Sequence, residues 1–179
     1  MNLWVRLLWV VLTAWRKSRT SVFETTRLTL RVNLLDLDAN GHVNNGRYLS
    51  LADLGRIDFA IRTGAMRVAM ARRAYPVVGD VTAKFRRDLR LFERYQLHTR
   101  MLGWLGKWTF TEHRFVANGR VVGTVVVRGL FRAKAGPIAP DVFVDALGIM
   151  QASPPLPDWV ITWNDSCDAQ SANLRKMEA

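Results

Sequence analysis

The chain has 179 residues, of which 49% are hydrophobic and 23% charged, and its formal net charge is +11. This length and composition exclude a disordered chain and predict one domain around a single core. The single cysteine, Cys167, excludes an internal disulfide and a thiolate metal site. The basic excess favours an anionic partner, either an anionic lipid or a phosphate-bearing small molecule. No zinc-finger spacing or RNA-binding signature is present, so nucleic acid is not the expected partner.

The N-terminus begins with an apolar segment, residues 3–15, which a basic cluster follows at 16–19. A membrane-spanning helix needs about 20 apolar residues, and this shorter run is interrupted by Arg6. It also lacks the basic start and cleavage site of a signal peptide. Its apolar residues recur at helical spacing and include three tryptophans, a pattern typical of helices in a membrane interface. Two interpretations stay open: residues 3–19 contact a membrane surface, or the helix packs on its own domain or on a second copy.

Further along the chain, a strand is followed by a long helix. Polar and apolar residues alternate over 26–32, which predicts a half-buried strand. Asn44 is a good N-cap, and residues 45–63 have an apolar face so broad that other elements must enclose the helix. A second, basic helix is predicted over 64–74. The polar loop of 36–44 separates the strand from the long helix.

The next part of the chain predicts strands in succession. They are expected at about 77–91, 95–105, 107–117 and 120–132. Asn118-Gly119 predicts a type I′ hairpin turn, because both residues tolerate positive φ. One strand, a long buried helix and an antiparallel meander make an α+β pattern, in which a curved antiparallel sheet wraps around the helix.

The predicted organisation has three parts. Residues 1–20 form the apolar and basic N-terminal segment, and residues 21–150 form the folded domain, which ends in a short helix at about 141–150. The proline-rich stretch at 153–157 is typical of an extended linker. Residues 151–179 are therefore predicted to be an extended polar tail.

The polar loop carries the residues most suited to chemistry. Asp38, Asn40, His42, Asn44 and Asn45 lie within eight residues, where a strand leads into the buried helix. Free N–H groups at a helix N-terminus can stabilise the oxyanion formed when an ester or thioester carbonyl is attacked. An aspartate can act as nucleophile or as general base, and a histidine or asparagine can orient water. The same residue types also serve as turn and cap residues, so composition alone does not separate the two roles.

The segment 35–48 resembles the signature of hotdog-fold thioesterases. It is most similar to thioesterase-like superfamily proteins of bacteria and to the related THEM6-type proteins of animals, and it also resembles a loop of plant acyl-carrier-protein thioesterases. The likeness continues through 85–87, 107–108 and 128–131, and it covers roughly residues 25–147. The resemblance implies the hotdog fold, in which a curved antiparallel sheet wraps around one long central helix.

The resemblance also implies roles for individual residues. In the 4-hydroxybenzoyl-CoA thioesterase branch, the aspartate matching Asp38 is the nucleophile or base, and a backbone N–H matching Asn45 polarises the carbonyl. The plant enzymes use residues that match Asn40 and His42, together with a further catalytic residue whose counterpart is not placed here. The mechanism is therefore open between these two forms. Neither a cofactor nor a metal is expected.

The expected substrate is an acyl-CoA or acyl-carrier-protein thioester. Asn44 and Tyr48 are candidate substrate-binding residues, and Arg86 and Arg87, with Arg90, are candidates for holding pantetheine or nucleotide phosphates. Family resemblance implies a homodimer or higher homo-oligomer, with sheets joined edge to edge and active sites at the interface. The expected localisation is cytoplasmic, at the inner face of a membrane if the N-terminal helix contacts lipid.

Two other functions are compatible with the same fold. Acyl-CoA hydratases and dehydratases use an Asp-x-Asn-Pro-x-His pattern. Here the segment 38–42 lacks the proline and places the histidine one residue closer, which counts against that activity. A non-catalytic acyl-binding or membrane-associated scaffold is the second alternative, because a fold does not establish a function.

Overall fold

The protein is described from a computed structural model, which covers residues 3–178. Residues 1, 2 and 179, at the ends of the predicted first and last segments, lie outside the described range. The helices are α1 (Leu3–Ala14), α2 (Asn45–Thr63), α3 (Ala65–Ala71), α4 (Pro140–Ala146) and α5 (Asp158–Met177), with a short 3₁₀ helix at Leu34–Asp36. The strands are β1 (Thr26–Arg31), β2 (Tyr75–Phe85), β3 (Arg94–Leu105), β4 (Trp108–Ala117), β5 (Arg120–Ala133) and β6 (Gly136–Ile138).

The strands form one curled antiparallel sheet with the order β1-β3-β4-β5-β2, and β6 pairs with β5. The predicted hairpin turn between β4 and β5 is confirmed, since Asn118 and Gly119 have φ values of 51° and 71°. Strands β3, β4, β5 and the short β6 form a meander, each pairing with the next strand in the chain. The strand after the helices, β2, pairs with β5 instead of its sequence neighbour β3. Strands β1 and β2 therefore lie at opposite edges of the sheet, and the segment between them, which contains α2 and α3, leads from one edge to the other.

Helix α2 lies against one face of this sheet, which confirms the predicted α+β hotdog architecture. It begins after the N-cap Asn44 and ends at Gly64, which adopts the left-handed conformation with φ 85°. The helix approaches the sheet closely at Gly55, where a Cβ atom would lie 2.4 Å from Thr99 Oγ1. Only glycine permits this spacing. The core between α2 and the sheet contains Leu28, Leu51, Leu54, Leu97 and Phe115.

Helix α1 packs with one face on its own domain. Val10 and Ala14 are buried, and the Arg6 side chain is also buried. Arg6 donates to the carbonyl oxygen of Arg31 at 2.7 Å, and its guanidinium lies 2.8 Å from the Asp36 carboxylate. Beyond the helix, Lys17 Nζ lies 2.7 Å from Asp58 Oδ1. Packing on its own domain is therefore confirmed for this face, and two buried carboxylates fix the position of the helix.

The predicted extended polar tail is wrong for residues 158–177, which form α5. Residues 150–157 do lack helix and strand, as expected for the proline-rich linker. Within α5, Val160, Asn164 and Cys167 recur at helical spacing and are buried. They lie on the sheet face opposite α2, where Val160 packs in a cluster with Leu102, Phe110 and Val126. The prediction failed because the apolar stripe of α5 is narrow, the rest of its sequence is polar, and the strands that it contacts are distant in the chain.

A buried arginine holds α5 to the sheet. Arg128 on β5 is 1% exposed, and its guanidinium lies 4.0 Å from the centroid of the Trp108 ring. It donates to Asn164 at 3.0 Å and to Asp80 at 2.7 Å, and it also pairs with Asp168. Two carboxylates thus neutralise the buried charge, one from β2 and one from α5.

Replacing Arg128 with alanine should loosen α5. The change removes the cation shared by two carboxylates, so we expect a loss of about 3 kcal/mol in the free energy of unfolding. Amide hydrogen exchange over 158–177 should accelerate more than exchange in α2. The matched control is Arg132→Ala, an exposed arginine on the same strand, which should change stability by less than about 0.5 kcal/mol. Equal exchange in wild type and Arg128→Ala would show that Arg128 does not hold α5.

Candidate active site

The predicted catalytic loop is a tight turn. The Asp38 N–H donates to the carbonyl oxygen of His42 at 2.9 Å, and the Gly41 N–H donates to the carbonyl of Asp38 at 3.1 Å. Gly41 has φ 79°, a left-handed conformation that favours glycine. On either side of the turn, Leu37 and Val43 pair as an antiparallel bridge. The loop is therefore fixed by its own backbone.

This turn brings Asp38 and His42 together. Asp38 Oδ2 lies 3.6 Å from His42 Nδ1, and the two side chains are 23% and 32% exposed. The other carboxylate oxygen, Oδ1, accepts the backbone N–H of Asn40 at 2.9 Å. The Asn40 residue itself is exposed. An aspartate and a histidine are thus adjacent and both reachable from solvent, as acid–base or nucleophilic chemistry requires.

The N-terminus of α2 carries the backbone N–H that is predicted to stabilise an oxyanion. Asn44 Oδ1 accepts the Gly46 N–H at 2.9 Å, and the Asn44 carbonyl accepts the Arg47 N–H at 2.9 Å. Asn44 is thus the helix cap, with only its amide nitrogen left for a substrate. The Asn45 N–H is the first of the helix, and no hydrogen bond from it is found among residues 3–178. It remains open to a developing negative charge.

The residue that sequence reasoning missed is Asp36, which is 0% exposed. Its Oδ2 accepts the Asn33 N–H at 3.0 Å and lies against Arg6, while Arg47 Nη2 donates to Oδ1 at 2.9 Å. The carbonyl of Asp36 accepts the Asn44 N–H at 2.9 Å. Asp36 therefore connects α1, the loop that contains Asp38 and His42, and α2. The sequence does contain a signal for it, the capping-box spacing from Asn33 to Asp36.

A basic cleft lies directly beside the loop. The Val43 N–H donates to the carbonyl of Leu89 at 2.9 Å, and His42 pairs with Arg90 as an antiparallel bridge. Arg90 lines an open cleft of about 680 Å³. Its charged lining residues are Arg86, Arg87, Arg90, Arg120, Asp88 and Glu93. The Glu93 carboxylate accepts hydrogen bonds from Arg90 N–H and Asn118, so it is already occupied. The structure places the predicted Arg86 and Arg87 in this cleft.

Tyr48 lies in the core and does not open onto the loop surface. It is 3% exposed, with its ring 5.1 Å from that of Phe85 and 4.8 Å from that of Phe115. Burial, with the negative charges of Asp88 and Glu93, raises the pKa of Tyr48 to about 12. The hydroxyl therefore stays protonated, and Tyr48 packs between the core and the strand that leads to the cleft.

Other buried ionisable groups lie away from the loop. Burial, reinforced by Arg56, lowers the pKa of His113 to about 3, and its Nδ1 lies 3.0 Å from Thr99 Oγ1 beneath α2. His113 is therefore neutral at physiological pH. On the surface of α2, the partly exposed Arg56 forms an ion pair with Asp53, with 2.6 Å between Nη2 and Oδ1. Within residues 3–178, no group of three or more His, Cys, Asp or Glu residues is arranged to hold a metal ion.

Two cavities follow α2 away from its N-terminus, between the helix and strands β2 and β5. The nearer one, about 240 Å³, is lined by Leu49, Val81 and Val125 among others. The farther one, about 100 Å³, is mostly apolar and extends past Ile57 to Met66. Arg56, Val78 and Val127 line both cavities, so the two adjoin along one side of the helix.

The fold and the site define the class of protein. The probable thioesterase YbaW from Escherichia coli superposes with a TM-score of 0.63 at 20% identity, covering 68% of this chain and 94% of that chain. A thioesterase from Thermus thermophilus, complexed with coenzyme A and zinc, has a TM-score of 0.59 at 24% identity, covering 70% and 98%. These likenesses show that the chain has the hotdog fold of thioesterases.

The sequence family agrees with the fold. The model of the thioesterase-like superfamily matches residues 32–163, and the chain belongs to that family. Protein THEM6 from Xenopus laevis is 33% identical over 142 residues, which cover 78% of this chain and 67% of that protein. THEM6 from Danio rerio is 41% identical over 87 residues, covering 49% and 43%. The match thus spans less than half the length of the Danio rerio protein.

Asp36 and Asp38 should respond differently to neutralisation. In Asp36→Asn, the buried Arg6 loses its carboxylate, and we expect the free energy of unfolding to fall by about 3 kcal/mol. In Asp38→Asn, a partly exposed contact is lost, and the cost should stay below about 1 kcal/mol. Urea unfolding followed by circular dichroism measures both. Equal losses in the free energy of unfolding of the two variants would refute the proposal that Asp36 holds α1, the loop and α2 together.

Proposed function

We propose that the protein is an acyl-thioester hydrolase that acts on acyl-CoA. The observation that carries this proposal is the direct backbone pairing between the loop of Asp38 and His42 and the arginine-rich cleft, through Val43 and Leu89. One side of the pairing offers a carboxylate, an imidazole and a helix N-terminus. The other offers four arginines to an anionic group. Coenzyme A joins a thioester to phosphates within one molecule, so it fits both sides.

The reaction requires that water replace the thiol on the acyl carbon. Asp38 either removes a proton from the attacking water or attacks the carbonyl carbon itself, forming an anhydride that water then hydrolyses. In both forms the carbonyl oxygen gains negative charge, which the Asn45 N–H stabilises. The carbon–sulfur bond then breaks, and the coenzyme A thiolate leaves and takes up a proton. His42 and Asn40, at the same turn, orient the water or the substrate.

The two ends of the substrate have separate places. Arg86, Arg87 and Arg90 hold phosphate groups in the cleft by charge-assisted hydrogen bonds. The acyl chain follows the cavities beside α2, which lead from Leu49 towards Met66. The Thermus thermophilus thioesterase complexed with coenzyme A supports this choice of carrier over a carrier protein.

A second copy of the chain completes the site, in our proposal, by pairing at β2. This strand ends the sheet order, and its side chains Val78, Val81 and Phe85 are 42%, 39% and 43% exposed. An edge strand with exposed apolar side chains pairs readily with another strand. Val78 of this strand lines both cavities beside α2, so a homodimer at this edge would cover them.

The carboxylate of Asp38 is the first test of the reaction. In Asp38→Asn, we expect kcat for acyl-CoA hydrolysis to fall at least about 100-fold, because the nucleophile or base is lost while the loop's backbone hydrogen bonds remain. Release of free thiol from short-, medium- and long-chain acyl-CoA measures the rate. Asp145→Asn, a neutralisation on the exposed side of α4, is the control and should retain the rate. Undiminished hydrolysis by Asp38→Asn would remove Asp38 from the mechanism.

The β2 edge is tested by a charge. Val81→Lys should weaken self-association at least about tenfold, because a lysine on an edge strand opposes strand pairing. Light scattering after size exclusion, over a series of protein concentrations, gives the mass. Ile161→Lys, at a residue 40% exposed on α5, is the matched control and should keep the wild-type mass. A monomeric wild type, or a Val81→Lys variant that keeps its dimer, would contradict the proposed interface.

A further inference from the structure

The outer face of α1 is apolar along its whole length. Five of its side chains, together with that of the tryptophan directly after it, point away from the domain over an arc of about 140°, at about 100° per residue. They are between 45% and 73% exposed: Trp4, Val5, Leu8, Trp9, Leu12 and Trp15. When a helix is apolar on its outer face as well as on the face packed against the domain, the outer face is expected to be covered by a second apolar environment.

The domain holds this face in a fixed orientation. Arg6 and Lys17, near the two ends of the helix, pair with the buried carboxylates of Asp36 and Asp58. Releasing α1 from the domain would leave both carboxylates without these cations, at a cost in stability. The outer face is therefore a permanent surface of the folded protein.

We propose that this face docks in the interface of a bilayer that contains anionic lipid. Three tryptophans lie on the face, and indole rings settle at the headgroup level. No acidic residue precedes Glu24 in the chain, while Arg16 and Arg19 are exposed directly after the helix. Apolar residues for the acyl boundary and cations for the headgroups are thus placed side by side.

The chemistry of the face distinguishes lipid from a protein partner. Protein interfaces carry about one hydrogen bond per 100–200 Å², whereas this face offers only indole N–H groups as side-chain donors. The helix has 12 residues, about 18 Å in length, and a bilayer core is about 30 Å thick. No helix in residues 3–178 is long and apolar enough to cross a membrane. In the proposal, the helix lies along the surface of the bilayer.

Docking would place the catalytic loop near the lipid. Arg6 of α1 contacts Asp36, which is two residues from Asp38. The 3₁₀ helix that contains Asp36 also exposes Leu34 and Leu35, which are 70% and 61% exposed. The loop is thus linked to the N-terminal half of α1 through the Arg6–Asp36 pair. The docking proposal does not depend on the hydrolase proposal, because it concerns binding alone.

Co-sedimentation of the 179-residue chain with vesicles of phosphatidylcholine and phosphatidylglycerol tests the proposal. The variant Trp4→Ala/Leu8→Ala/Leu12→Ala removes exposed side chains only, and we expect its partition coefficient to fall at least about 30-fold. Trp159→Ala/Ile161→Ala, which removes exposed apolar side chains of α5, is the matched control and should bind as wild type does. Arg16→Gln/Arg19→Gln should weaken binding about fivefold per charge on the anionic vesicles.

Tryptophan fluorescence gives a second readout on the unmodified protein. Emission should shift to the blue when vesicles are added, and lipids brominated near the headgroup should quench it. Absence of wild-type sedimentation and of this shift would overturn the proposal. It would also fall if the triple variant kept its vesicle binding, or if that variant lost only self-association, since the face would then be covered by a second copy.

Discussion

The buried carboxylate of Asp36 is the interaction on which the rest of the site depends. It receives Arg6 from α1, Arg47 from α2 and the N–H of Asn33 from the end of the first strand. A buried charge of this kind is tolerated only when its partners are all in place. The three elements that surround the catalytic loop are therefore fixed relative to one another by one side chain. Loss of the Asp36 carboxylate itself would leave the buried guanidinium of Arg6 without its anion.

The contacts of Asp36 explain how the site can be exposed to solvent and still be ordered. Asp38 and His42 are partly exposed, but the backbone that carries them is held by hydrogen bonds within the turn, to Asp36 and to Leu89. Positioning thus comes from the buried backbone, and the reactive side chains stay free to meet water and substrate. The same pairing with Leu89 places the loop beside the arginine-lined cleft. One short segment of chain therefore joins the two parts of the site that we propose for reaction and for substrate recognition.

Local patterns in the sequence predicted much of this structure, and distant contacts set the remainder. The alternation of β1, the cap at Asn44 and the Asn118-Gly119 turn depend on neighbouring residues, and each was confirmed. The pairing of β2 with β5 and the burial of Asp36 depend on residues far along the chain. The error at α5 has the same origin: Val160 and Asn164 make a helix stable only because Phe110 and Arg128 lie opposite. In the site, the sequence predicted the loop and the helix N-terminus but not the buried carboxylate of Asp36 that holds them in place.

The central claim is that this loop hydrolyses a thioester, and isotope labelling under single-turnover conditions tests it most directly. The protein is mixed in excess with acyl-CoA of several chain lengths in H₂¹⁸O, and the acid, the coenzyme A ester and the peptide that contains Asp38 are examined by mass spectrometry. The account predicts free acid with loss of the ester. The ¹⁸O enters the acid if water attacks the acyl carbon, and it enters Asp38 first if Asp38 forms the anhydride and water attacks the Asp38 carbonyl carbon. Recovery of intact acyl-CoA, or of an enoyl ester that has only gained water, would contradict it.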